Sequence, residues 1–120
     1  MPSRNCFESP EAYYSTLFHE LTHSTGHTAR LNRFEENSTD HQFGSESYSK
    51  EELVAEMGAA MLAGIAGISQ VTIGNSASYL QTWINRLKSD SRLIISAASH
   101  AQKAADYILG KTQAEGSDCR

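Results

Sequence analysis

Apolar residues recur at helical spacing in four stretches of the chain, and little of it alternates as a strand would. The first stretch opens at Ser9-Pro10-Glu11, where serine suits an N-cap and proline the first helical position. It predicts a helix from about Pro10 to Thr25, with Gly26 as a left-handed C-cap. From Thr28 to Ser47 the chain turns polar, and an ordered loop is expected. A second helix is predicted from Tyr48 to Ala66, with Leu53, Met57, Met61 and Ile65 as one buried stripe and Gly67 as its stop. Gln70 to Ile73 reads as a brief extended piece before a cap at Asn75. The third helix, Ser76 to Lys88, gathers Tyr79, Leu80, Trp83, Ile84 and Leu87. The fourth starts at Ser89 or Asp90 and ends at Gly110, with a seam of Ile94, Ala98, Ala101, Ala105 and Ile108.

Composition narrows the class of protein. With 120 residues, 39% of them hydrophobic, the chain can bury one modest core without disulfides. No apolar run approaches the ~18 residues of a membrane span, and the N-terminus has no apolar leader segment. Cys6 and Cys119 lie near opposite ends, so no disulfide framework is expected and a cytoplasmic protein is the default. The net charge of −4 gives no electrostatic footing for nucleic acid on this domain alone. Arg30 and Arg33 form the one small basic group, expected to be a solvated or salt-bridged corner.

The chemistry lies in His19-Glu20-Leu21-Thr22-His23. Residues four apart share a helix face, so both imidazoles can address one cation while Glu20 sits beside them. Zinc takes neutral nitrogen ligands, and a catalytic site keeps a position for water, from which Glu20 would take the proton. Two histidines beside a chance glutamate would read the same, but the well-capped helix favours Zn2+.

A third ligand must come from elsewhere. The metzincin pattern needs a histidine at position 29, which is Ala29. His27 fails too, because eight helical residues rise ~12 Å; a surface or loop-facing residue is expected there. The second helix offers Glu51, Glu52 and Glu56, although Ser49-Lys50-Glu51-Glu52 is also a capping-box pattern. Glu52, Glu56 and Ala59 form a row beside the predicted stripe, and small Ala55 and Ala59 would let the two helices approach closely.

This stretch resembles the thermolysin-like gluzincins, in which a glutamate on a following helix is the third ligand. The residue before it and an acid four residues after it brace the two histidines. The resemblance implies Glu52 as ligand, with Glu51 and Glu56 as braces. More widely, Tyr13 through His27, Arg30-Leu31-Asn32-Arg33, Tyr48 through Glu56 and Ala97 through Tyr107 resemble the zincin-like domain of ArdC-type antirestriction proteins, the polyvalent-protein metallopeptidase domain. Ser24 departs from the tryptophan common there.

The resemblance implies a mainly α fold: a zincin-like core of about four helices over residues 1–110, the metal site between the first two, and a disordered tail over 111–120. It implies zinc-dependent hydrolysis of a peptide or protein substrate by a C-terminal piece of a longer antirestriction-type protein. Single-stranded DNA would be met only through an upstream domain. Tyr48, one turn before Glu52, is the expected second donor to an oxyanion, with His100 and His41 as alternatives. The competing expectation is a non-proteolytic zincin scaffold that serves as a binding module.

Overall fold

The computed structural model describes residues 1–33 and 46–111. After a 3-10 turn at Arg4–Cys6 come four helices: α1 (Pro10–Ser24), α2 (Glu46–Ala66), α3 (Ser69–Arg86) and α4 (Ser91–Ile108). Among the described residues there is no strand, and no helix is long and apolar enough to cross a membrane. The mainly α expectation therefore holds. Helix α2 is the centre of the packing, with α1, α3 and α4 laid against it.

Local chemistry sets the helix starts. Ser9 Oγ accepts the Ala12 N–H at 3.1 Å, and Asp90 Oδ1 accepts the Arg92 N–H at 2.9 Å. Gly67, at φ 81°, stops α2. The expected extended piece and the cap at Asn75 are absent, because α3 restarts at once and runs through both. Thr72 and Ser76, four residues apart, are its buried face, which outweighs the β-branched look of Val71-Thr72-Ile73. Gly26 is not a left-handed cap either. Its N–H donates to His23 O at 2.9 Å, and the left-handed residue beyond α1 is Asn32, at φ 57°.

The core joins Leu53 and Val54 of α2 to Ala97 and Ala101 of α4 and Leu87 beyond α3, with Met57, Met61, Leu80, Trp83, Ile84 and Ile94 packed around them. Ile65 does not join its predicted stripe and is 61% exposed. Twelve residues of helix turn Ile65 about 120° away from Leu53, so a row of fours drifts off the core. Leu62 and Ala63 take the buried place instead. On α4, Ala97 and Ala104 are buried more deeply than the expected Ala98 and Ile108. Tyr79 is exposed. Between α1 and α2 the contact is close, and Thr22, Ala55 and Ala59 are all buried.

Candidate metal centre

Helix α1 presents His19 and His23 one turn apart, and α2 brings Glu52 against both. The two Nε2 atoms are 3.1 Å apart. One oxygen of Glu52 is 2.7 Å from His23 Nε2, and the other is 3.6 Å from His19 Nε2. One ligand atom from each of the three residues falls within 4.8 Å of the others. Two zinc ligands at bond lengths of about 2.0–2.1 Å and a tetrahedral angle stand about 3.3–3.4 Å apart, close to the imidazole spacing here.

The outer ring nitrogens meet carboxylates. His23 Nδ1 lies 2.9 Å from Glu51 Oε2. His19 Nδ1 lies 2.8 Å from Glu56 Oε1, but off the line of a good hydrogen bond, so this buried nitrogen has no well-directed partner. With each Nδ1–H turned to a carboxylate, both Nε2 lone pairs face inward beside Glu52. Three inward acceptors need a cation or a shared proton between them. That donor set fits a divalent metal with imidazole and carboxylate ligands.

Electrostatics follow the same contacts. Burial, the largest influence, disfavours a charged imidazolium. For His19 it is outweighed by hydrogen bonds and charge from Glu52 and Glu56, which raise the ring to about 9. For His23, Glu51 and Glu52 overcome the same penalty, again to about 9. Burial likewise works against ionised Glu52, yet the two imidazoles hold it down at about 2. Glu51 is also lowered, its burial offset by His23 and Arg33. Each pair favours its own charged form, which a metal would replace.

Helix α2 begins at Glu46, so Ser49 lies inside it and its buried Oγ has no partner. The capping-box arrangement is therefore not formed, and Glu52 turns to the histidines. Glu20 is exposed and lines a cleft of about 470 Å³ with His19, Glu52, Glu56, Phe7, Tyr79 and Trp83. Tyr48 does not line that cleft. Its ring packs edge-on against Trp83 at 5.8 Å, and burial, then the charge of Glu52, raises its hydroxyl. His100 on α4 lines no part of it, and His41 lies outside the described residues. His27 is exposed, with Nδ1 accepting the Ala29 N–H at 3.0 Å.

Arg33 is salt-bridged, as one of the two expectations for that basic group had it, but in the interior and not at a corner. Arg30 is exposed as expected, whereas Arg33 is 2% exposed and forks onto both oxygens of Glu51 at 2.9 Å. Only its place in the resemblance run Arg30-Leu31-Asn32-Arg33 hinted at a role.

Residues 1–100 match the zincin-like metallopeptidase family MPTase-PolyVal. The chain belongs to that family. Among curated relatives of this zincin-like domain, DNA primase TraC of Escherichia coli is 41% identical over 113 residues, 94% of this chain and 10% of that protein. The uncharacterized protein y4eC of Sinorhizobium fredii is 37% identical over 108 residues, covering 90% of this chain and 34% of its own length. A solved structure, the antirestriction protein ArdC from plasmid R388 in its Mn(II)-bound form, is 41% identical with a TM-score of 0.66. It covers all of this zincin-like chain and 42% of ArdC. The domain thus spans between 10% and 34% of the length of these curated relatives and less than half of ArdC.

Proposed function

We propose that this domain is a zinc-dependent metallopeptidase, in which His19, His23 and Glu52 hold the metal and Glu20 moves the proton. The observation that supports it most is the convergence of two imidazole Nε2 atoms 3.1 Å apart on the Glu52 carboxylate. Two imidazoles favour zinc over harder ions, although the ArdC relative was solved with Mn(II).

A divalent metal bound there supplies Lewis acidity, polarising a peptide carbonyl and making water easier to deprotonate. The chain does the rest. Glu51 accepts the Nδ1–H of His23, and the Glu56 carboxylate lies beside Nδ1 of His19, which keeps both rings turned with Nε2 inward. The Glu20 carboxylate, exposed in the cleft, takes one proton from the attacking water and delivers it to the leaving amide nitrogen. A C–O bond forms, the C–N bond breaks, and Glu20 ends as it began. The developing oxyanion needs a further donor. We assign it to Tyr48, one turn before Glu52 on α2, whose ring would have to swing off Trp83 to bring its hydroxyl into the cleft.

By analogy with ArdC, the domain would serve in an antirestriction-type protein, with protein or peptide as its own substrate. Elemental analysis of the purified protein beside Glu52→Ala tests the reading. About one zinc per chain, lost in the variant, is expected. A metal-free parent after zinc loading would end the proposal.

A further inference from the structure

The guanidinium of Arg33 ties three parts of the molecule together. Nε and Nη2 donate to the two oxygens of Glu51, each at 2.9 Å. Nη2 also donates to Thr22 O at 2.8 Å, and Nη1 to Thr25 Oγ1 at 2.7 Å. Asn32, in the left-handed conformation, turns the chain just before Arg33 enters the interior.

A buried arginine with such partners could serve stability alone. The geometry says more, because the fork fixes the plane of the Glu51 carboxylate. The oxygen shared with Nη2, Oε2, is the one 2.9 Å from His23 Nδ1. A carboxylate pinned at both oxygens cannot rotate away, so the direction of the His23 ring is set by a residue that never touches it. His19 has no equivalent: Glu56 meets its Nδ1 off line, and no guanidinium is seen on Glu56 among the described residues.

We propose that Arg33 is a positioning residue of the metal centre, orienting His23 through Glu51, so that His23 is the rigid ligand and His19 the adaptable one. The proposal rests on the reading of His19, His23 and Glu52 as metal ligands.

The test measures zinc affinity by chelator competition and the visible absorption of the Co(II)-loaded protein. The samples are the parent, Arg33→Met, Arg33→Lys, Glu51→Gln and the Arg33→Met/Glu51→Gln double variant. Arg33→Met should bind zinc about 10–100-fold more weakly, the usual loss when an outer partner goes. Its cobalt bands should shift as the His23 ring tilts. Arg33→Lys keeps the buried charge but not the fork, so a smaller loss in the same direction is expected. It decides the matter if Arg33→Met fails to fold. In the double variant the Arg33 effect should largely vanish, since Glu51 no longer transmits it. Parent-like affinity and cobalt spectra in the folded Arg33 variants would overturn the proposal. So would losses that multiply in full in the double variant. A parent that binds no zinc would instead overturn the metal reading itself.

Discussion

Gly58 of α2 stands so close to Thr22 of α1 that a Cβ there would lie 2.6 Å from Thr22 Cγ2 and 2.7 Å from Oγ1. Thr22 cannot easily yield, because it is fully buried, stiff at χ1, and its hydroxyl donates to Phe18 O at 2.8 Å. This contact brings the histidine helix close enough to meet Glu52.

Gly58→Ala should therefore destabilise the domain. Overpacking costs about 1–3 kcal/mol, offset in part by up to ~1 kcal/mol of helix propensity. Thr22→Ala removes both clashing atoms, so adding Gly58→Ala to it should cost little or even stabilise. Denaturant unfolding of the two single variants and the double gives the coupling. Strict additivity would mean the helices are not in contact at this point.

The three carboxylates of α2 should be distinguishable by metal affinity. Glu52→Ala leaves two ligands and should abolish most zinc binding. Glu56→Ala should weaken it by about 10-fold, at the low end of the usual 10–100-fold, because its contact with His19 is poorly aligned. Glu51→Ala should cost more than Glu56→Ala, since Glu51 meets His23 Nδ1 in a well-directed contact at 2.9 Å. Competition with a chelator ranks the three, and equal losses for Glu52→Ala and Glu56→Ala would reverse the assignment.

What could be read from sequence was what is local. Ser9 and Pro10 announce the start of α1 because capping needs only neighbours in the chain. His19, Glu20 and His23 needed only the helical repeat. Ile65 was misplaced because a row of fours drifts, and which side of α2 is covered depends on three other helices. The start of α3 was missed because Thr72 and Ser76 are buried by tertiary packing, which local propensity does not see. Glu52 was reached by resemblance, since spacing alone left Glu51 and Glu56 open. Arg33 was read as part of a solvated or salt-bridged corner; the ion pair is there, but its burial was not legible because it depends on the backbone at Asn32 and on Glu51, distant in the chain.

The raised histidines set a pH window for the metal-free protein. His19 and His23 stand at about 9 folded, against 6.5 unperturbed. Their pairing with the glutamates stabilises the fold fully below about 6.5 and is lost as pH rises through about 9. Glu52, at about 2 against 4.5, contributes above about 4.5 and loses that as pH falls toward 2. Zinc must displace the protons held by the imidazoles, so its affinity should climb from pH 6.5 to about 9. The zinc-induced rise in Tm should grow over the same range, above the window an unperturbed histidine would give. Thermal unfolding with zinc and with chelator checks this, and a zinc effect that grows toward acid would contradict it.

The cleft predicts the sign of its substrate. Glu8, Glu20, Glu52 and Glu56 line it, with no lysine or arginine among the described residues that line it. Peptides with Lys or Arg near the scissile bond should be favoured over Asp or Glu. Replacing one with the other should change kcat/KM by about tenfold at low salt, and less as ionic strength rises. Glu8→Lys should shrink the preference. A library cleaved without regard to charge would show that these carboxylates do not face the peptide.

Glu20→Gln separates hydrolysis from metal binding. Glu20 follows His19 in the helix, is exposed to the cleft, and is not among the three residues whose ligand atoms converge. Glutamine keeps its shape and cannot accept the proton. The variant should load zinc as the parent does and show the same zinc-dependent Tm. Peptide hydrolysis should fall by about 10²–10⁴-fold, the usual contribution of a positioned acid–base group. Normal hydrolysis in a zinc-loaded Glu20→Gln protein would remove Glu20 from the mechanism. The same variant weighs the scaffold alternative: placed in a full-length antirestriction-type protein, it should lose protection of incoming DNA if proteolysis is required. Undiminished protection alongside abolished hydrolysis would assign the zincin-like core a binding role.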